Sequence, residues 1–394
     1  MTYLNGLIDL PWWGYILVAL GLTHITMASV TIFLHRHQAH KALDLHAIPS
    51  HFFRFWLWMT SGMQTKEWAA VHRKHHARCE KAEDPHSPWV FGIKKVMLEG
   101  AELYRTEAKN QETLDKFGKG TPDDWLERNL YTKYSTLGIT LMFLINITLF
   151  GPNGIWIWAV QMAWTPFFAA GVINGLAHWW GYRNFECEDK STNIFPWGIL
   201  IAGEELHNNH HTFGTSAKLS YKWYEFDIGW MYIQILSALG LAKVRRTIPK
   251  MAEEPAKQIV DQATLEAIIT NRYIIASRYA RSLKSICADE LQKLQQSAKL
   301  SHELKWSQFK RWLKQDAKDT PHEEHTQLKH LLAHSTVLAT VYSMRQELSA
   351  LWERSSLTSE QLLQKLHDWC NRAEASNIDA LKEFSTRLRR TATA

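Results

Sequence analysis

Three long stretches of this chain carry no formally charged residue, and this limits the possible fold more than any other feature. Residues 11–34 (PWWGYILVALGLTHITMASVTIFL), 134–150 and 155–180 contain no Asp, Glu, Lys or Arg. Twenty-four residues of helix extend about 36 Å, enough to cross a hydrocarbon layer of roughly 30 Å. The turn Gly151-Pro152-Asn153-Gly154 separates the second stretch from the third, so the two read as a helical hairpin. The first arm of that hairpin, 134–150, is at the short end for a span. Basic residues follow the same division: none in 1–34, sixteen in 35–133, none in 134–182. With three crossings, the positive-inside rule puts residue 1 and the 151–154 turn outside. Residues 35–133 and everything after about 180 then lie in the cytoplasm, which predicts an integral membrane protein with a cytoplasmic C-terminus. Two further apolar segments, 47–65 and 219–241, contain Arg54 and the pair Glu225 and Asp227. Central charges argue against spans, so interfacial helices are expected there.

The remaining composition excludes several function classes. A net charge of +6 over 394 residues is too diffuse to argue for nucleic acid. The four cysteines (Cys79, Cys187, Cys287, Cys370) are scattered, with no CxxC, which argues against a zinc ribbon or a disulfide framework. Neither a Walker loop nor a GxGxxG fingerprint is present, so no nucleotide or flavin site is expected. Residues 1–10 lack the positive n-region of a cleaved signal peptide. From about 250 the sequence becomes charged with helical periodicity. Thr358 with Gln361 offers a capping box, and Asn377 offers a cap for the last helix. The expected fold class is all-α: a membrane helical domain over 1–249 with a cytoplasmic His-rich di-metal cap, then a cytoplasmic helical appendage over 250–394.

Histidine placement carries the chemistry. His35 and His40 form an HxxxxH, and His72, His75 and His76 form an HxxHH. His207, His210 and His211 form a second HxxHH. With 20 His in the chain, one HxxHH is expected about 0.05 times by chance, so two are improbable. Offsets of three and four place imidazoles within roughly a 100° arc of a helix, whereas an offset of five turns the second ring about 140° away. The helix bearing His35 is therefore expected to end or distort before His40. All eight histidines lie at the ends of apolar segments. Neutral imidazole suits Fe, Zn, Cu or Ni, and eight ligands match two ions with about four each. His178, at the cytoplasmic end of the third apolar stretch, reads as a ninth ligand. Asn174, four residues before it, reads as a water-bridging partner. His24 reads as an interhelical hydrogen bonder, and His86 as either a loop residue or a hydrogen-bonding neighbour of the site.

This pattern resembles the membrane-bound fatty acyl desaturases of the stearoyl-CoA Δ9 type, as a bacterial member, over about residues 10–245. Flanking residues strengthen the likeness: Trp68 four before His72, Asp84-Pro85-His86 after the second cluster, and Gly203-Glu204-Glu205-Leu206 leading into His207-Asn208-Asn209-His210-His211. The resemblance implies a non-haem di-iron centre that converts a saturated acyl chain to a cis alkene, probable position Δ9 in the family, with O₂ and two external electrons. It also implies that His35, His40, His72, His75, His76, His178, His207, His210 and His211 are the ligands and that Asn174 holds a metal-bound water. The chain has Ala70-Val71 where animal acyl-CoA members carry Arg-Asp. Both acyl-CoA and a phospholipid acyl chain thus stand as substrates.

An alkyl methylene offers no acid and no carbonyl, so its oxidation needs a metal that activates O₂. A featureless chain must be threaded past that metal through an apolar tunnel. Trp68 is the expected tunnel wall among Trp56, Trp58, Trp68, Trp164, Trp179 and Trp180. Arg73 and Lys74, with Arg78 and Lys81, are the expected head-group contacts. No electron-carrying motif is present, so a separate ferredoxin or cytochrome with its reductase is the expected donor. A membrane di-iron alkyl hydroxylase has similar spacing and would yield an alcohol. A His-rich metal transporter or sensor would place facing ligands inside the spans, where only His24 lies.

Overall fold

The computed structural model describes residues 6–255, 257–296, 306–314, 322–353 and 356–393. Two compact units divide the chain: Met1–Arg183 with Asp189–Ile248, and Asn184–Glu188 with Pro249–Ala394. Both are mostly helical.

The first unit begins with α1 (Trp12–Ser29), which runs on as a π-helix over Val30–Ala39. There follow β1 (Leu43–Leu45), α2 (Ala47–Ser61), α3 (Thr65–Arg78), α4 (Pro88–Phe91), α5 (Ile93–Ala108) and α6 (Gln111–Phe117). The apolar hairpin is α7 (Ser135–Phe150) and α8 (Asn153–Thr165), and α8 continues as a π-helix over Pro166–Ile173. Next come a short 3₁₀ turn at Leu176–His178, β2 (Trp197–Gly198), α9 (His207–Thr212), β3 (Phe226–Asp227), α10 (Ile228–Ala238) and β4 (Ala242–Val244). β1 pairs antiparallel with β4, and β2 pairs parallel with β3.

Among the described residues two helices are long and apolar enough to cross a membrane: Trp12–Ala39, with mean hydropathy 2.0, and Asn153–His178, with 1.3. Ser135–Phe150 is apolar but has only 16 residues. Many of their side chains face outward, among them Trp156, Leu144, Ile145 and Phe167. The hairpin turn falls where the Gly-Pro-Asn-Gly run lies, between Phe150 and Asn153.

Charged residues within apolar segments are all engaged. Arg54, buried on α2, meets both carboxylate oxygens of Asp124 at 2.6 and 2.9 Å and Glu127 at 2.8 Å. α2 ends at Gly62 in the left-handed region, φ 63°, where a glycine carries no Cβ penalty. The expected helix over 219–241 is shorter, covering only Ile228–Ala238. Its two acids explain the difference. Asp227 caps α10 by accepting from the Trp230 N–H and also pairs with buried Arg36. Glu225 accepts from the backbone of Tyr221 and Lys222. Both carboxylates therefore organise a loop instead of riding on a helix.

α5 packs against the π-helical end of α8 at van der Waals contact of the backbones. A Cβ on Gly100 would lie 2.3 Å from the Ala170 carbonyl, and one on Gly171 would lie 2.7 Å from that of Met97. These glycines bring α5 in as one wall of a cavity of about 300 Å³.

In the second unit, α11 (Gln262–Thr270) to α13 (Lys284–Gln296) are followed by α14 (Trp306–Lys314), α15 (His322–Ala333), α16 (Thr336–Ser349), α17 (Ser359–Ala375) and α18 (Asp379–Arg389). Strands β5 (Met251–Glu253) and β6 (Thr391–Thr393) pair antiparallel. Its core is a conventional apolar one built on Ile275, Tyr279, Trp312, Leu338, Trp369 and Phe384. The Thr358–Gln361 capping box is present in both directions. Asn377 does not cap the last helix: it sits at φ 35°, and Ile378 occupies the cap position without a side-chain bond.

Candidate metal centre

The nine histidines singled out by spacing converge into two adjoining groups. His35, His40, His72, His76 and His210 form one, with potential ligand atoms all within 4.8 Å of one another. His75, His178, His207 and His211 form the other on the same criterion. The groups touch, with the His76 and His211 rings stacked at 4.3 Å between centroids.

Local helix geometry explains how each ring arrives. The π-helix solves the HxxxxH problem. The His40 N–H donates to the His35 carbonyl, a five-residue bond at 3.0 Å. Each such turn takes up an extra residue, so residues five apart come to lie above one another. The two rings meet edge to face at 4.8 Å. The HxxHH clusters behave differently from a simple trident. In α3, His72 and His76 enter the first group while His75 enters the second. In α9, His207 and His211 enter the second while His210 enters the first. Positions four apart lie about 40° apart around an α-helix, and the intervening position is about 100° from the last. Each helix thus sits between the two groups and serves both.

The residues fit metal ions, on three observations. First, ring nitrogens face ring nitrogens. His210 Nε2 lies 3.0 Å from His35 Nε2 and 2.9 Å from His76 Nε2. His40 and His72 meet at 2.8 Å, and His178 and His207 at 3.0 Å. One proton on His210 Nε2 can bridge to only one of its two neighbours, whereas a cation accepts lone pairs from all three. Second, several rings are fixed from behind by carboxylates. His35 Nδ1 lies 2.7 Å from Glu204, His75 Nδ1 2.9 Å from Asp84, and His211 Nδ1 3.0 Å from Asp189. Glu80 stands 3.4 Å from His178 Nδ1. An ionised carboxylate only accepts, so Nδ1 carries the proton and Nε2 presents its lone pair to the centre. Third, His211 Nε2 is buried with no hydrogen-bond partner.

Electrostatics hold most of these rings neutral, the form that ligates. Burial, reinforced by neighbouring rings, pushes His72, His76, His207 and His210 well below the ordinary imidazole range. Burial also lowers His211, to about 4, although Asp189 pulls the other way. At His75 burial is outweighed by the facing Asp84, which raises it. The adjacent Glu205 has a different task. It accepts from the backbone N–H groups of Ile201 and Gly203 and shapes the loop that delivers Glu204.

The 300 Å³ cavity opens from this centre. His35, His72 and His207 line it together with Trp68 and Asn174. Trp68 stacks on His72, with centroids 4.9 Å apart and planes 14° apart. Among the six tryptophans considered from the sequence, Trp68 alone lines the cavity. Trp58 is buried elsewhere and bonds the Tyr134 carbonyl, while Trp179 and Trp180 are exposed. Asn174 lies on the cavity wall and outside both ligand groups.

Arg73 and Lys74, the expected head-group contacts, also have partners within the protein. Four of Arg73's N–H groups donate to backbone carbonyls of Gln38, Ala39, Phe117 and Lys119 at 2.7–3.0 Å. Lys74 pairs with Glu107 at 2.7 Å. Arg73 thus ties the second histidine helix to the ends of the π-helix and α6, and Lys74 ties it to Glu107 on α5. His24 bonds Tyr232 at 2.8 Å, as its position in an apolar helix suggested. His86 is buried, lies 4.4 Å from the His75 ring, lines the cavity, and has no hydrogen-bond partner at either nitrogen. Sequence reasoning missed the backing carboxylates Glu80 and Asp189. Asp84 and Glu204 stood inside quoted motifs, but their roles had no signal in spacing.

Comparison with known proteins agrees with this geometry. Residues 10–230 match the family described as fatty acid desaturase. Residues 241–394 match a family described as transposase, over less than half of the chain. The chain is 27% identical over 238 residues to the Delta-9 acyl-lipid desaturase 1 of Arabidopsis thaliana, covering 58% of this chain and 74% of that protein. It is 28% identical over 241 residues to the sn-1 stearoyl-lipid 9-desaturase of Anabaena variabilis, covering 58% and 83%. It is 29% identical over 229 residues to an acyl-CoA 5-desaturase of Anemone leveillei, covering 54% and 65%. The histidine-lined centre and the matched span together lead to one conclusion: the chain belongs to the fatty acid desaturase family and is an oxidoreductase that uses O₂ to desaturate fatty acyl chains.

Proposed function

We propose that the protein introduces a cis double bond, at Δ9, into a saturated acyl chain carried in a phospholipid or on CoA. The observation that carries this reading is the pair of adjoining imidazole groups opening onto one apolar cavity. His35, His40, His72, His76 and His210 would hold one iron, and His75, His178, His207 and His211 the other. Bound there, the iron pair supplies the O₂ activation that an unactivated C–H bond requires. Overall, the saturated chain, O₂, two electrons and two protons yield the alkene and two waters. Hydrogen leaves the chain as it becomes oxidised, and O₂ is fully reduced.

The chain's own residues do the rest. Asp84, Asp189 and Glu204 hold their imidazoles in one tautomer and orientation. Trp68 and the apolar wall exclude water and confine the alkyl chain beside His72, while Asn174 would position a water at the same end. Electrons come from a separate ferredoxin or cytochrome with its reductase, docking on the face that bears the cap.

Topologically, residues 1–249 form the membrane desaturase domain, with spans over about 11–34, 134–150 and 155–180 and interfacial helices at 47–65 and 228–238. The metal centre and the helical appendage 250–394 face the cytoplasm across a bacterial inner membrane. The names of relatives include both acyl-lipid and acyl-CoA enzymes, so both substrate forms stand.

The test is expression in a host lacking unsaturated chains, with double-bond position analysed separately in the phospholipid and acyl-CoA pools. A cis-Δ9 product appearing first in one pool is expected and identifies the substrate form. An alcohol in place of an alkene would reassign the reaction to hydroxylation, and a saturated profile would refute the proposal.

A further inference from the structure

A saturated alkyl chain offers the enzyme nothing to grip except its two ends, so a single product requires one fixed point. The cavity wall contains an unused polar group suited to that task. Tyr104 lies on α5, the helix brought in by the Gly100 and Gly171 contacts, and its side chain lines the cavity. The phenol oxygen is buried and has no hydrogen-bond partner among the described residues. Glu67 is the charge felt there, yet its carboxylate is not within hydrogen-bond distance. A buried donor left unpaired is costly, and native structures rarely retain one without a reason.

The surroundings indicate what fills the need. The cavity that Tyr104 lines is also lined by His35, His72 and His207. Tyr104 is followed by Arg105, which also lines the cavity but is exposed and pairs with Glu102 at 2.9 Å. Tyr104 therefore adjoins a residue that reaches solvent. The wall elsewhere is largely apolar, with Val30, Ile139, Met162 and Ile173 among its residues. An acyl substrate lying in this cavity carries no acceptor along its methylenes. Its first acceptor is the carbonyl oxygen of the ester or thioester.

We infer that the Tyr104 hydroxyl donates a hydrogen bond to the acyl carbonyl and so sets the carbon count from the carbonyl to the metal centre. The inference rests on the desaturase reading and adds the residue that fixes position. It applies equally to a phospholipid ester and a CoA thioester, because both present the same C=O.

Two measurements test it in the full-length protein. In the first, Tyr104→Phe removes only the hydroxyl. Cells expressing it, fed stearate, should yield double bonds spread over neighbouring positions where the unaltered protein yields one, with total product down about five- to tenfold, the worth of one neutral hydrogen bond. An unchanged isomer at an unchanged rate would overturn the inference. The second needs no variant. Palmitate and stearate fed to cells expressing the unaltered protein should acquire the double bond at the same distance from the carbonyl. A constant distance from the methyl end would overturn the inference while leaving the desaturase reading intact, since an alkene forms either way.

Discussion

The two histidine groups use the same side chain and are supported very differently. The five-membered group, His35, His40, His72, His76 and His210, has one backing carboxylate, Glu204, itself also bonded by Thr31 at 2.5 Å. The four-membered group has three: Asp84 behind His75, Asp189 behind His211 and Glu80 near His178. Cys79 adds a sulfur 3.9 Å from nitrogens of both His75 and His178. Negative charge close behind imidazoles makes them stronger donors and compensates the charge of a bound cation. The arrangement therefore builds one centre rich in neutral ligands and one rich in compensating charge. That asymmetry distinguishes the two candidate metal sites more than the number of histidines does.

Removing a ligand from each group should have the largest effect. His207→Ala and His210→Ala are each expected to lower activity more than ~100-fold, beyond the loss typical of a backing group. If the groups load separately, iron per chain, measured by elemental analysis of purified protein, falls from about two to about one in each variant. Loss of both irons from either variant would show that the groups load as one unit, and full iron with full turnover would remove the ligand assignment altogether.

Next in size are the carboxylates. Glu204→Gln takes away the sole carboxylate behind the five-membered group, with an expected loss of ~10–100-fold in iron affinity or activity. Glu80→Gln, at the longest of the four contacts and with two other carboxylates beside it, should fall at or below the low end of that range. Equal effects in a chelator competition assay would erase the distinction between the groups. The smallest effect is expected for Cys79→Ser, with iron content unchanged, because the 3.9 Å contacts of the sulfur with His75 and His178 are weak hydrogen bonds that a hydroxyl can also make. A fall in iron would make the thiol a ligand of the second group.

The nine histidines were legible because three-, four- and five-residue offsets are rare by chance and because helical rotation is a local property. The π-helical turn was half legible: the spacing demanded a distortion before His40, but nothing local said that it would take the form of an added residue per turn. In the sequence Arg36 counted only toward the basic bias of 35–133, Arg54 argued against a span, and Arg73 and Lys74 read as head-group contacts. In the structure Arg36 and Arg54 are buried and all four are tied to carboxylates or carbonyls distant in sequence. Glu225 and Asp227 were read as interruptions of an apolar helix and instead organise the loop before it. Such partners lie up to 191 residues away, as Arg36 and Asp227 do, and no local periodicity encodes them.

The sequence alone therefore determined which histidines gather at the candidate metal centre, that long apolar helices accompany them, and which family the chain resembles, since each of these depends on spacing along one segment. Tertiary structure alone decided how the imidazoles divide into five and four, which carboxylates stand behind them, and that Tyr104 and Trp68 face the same cavity. Those outcomes depend on how helices approach one another, and the rotation of one helix leaves the direction of its neighbours undetermined.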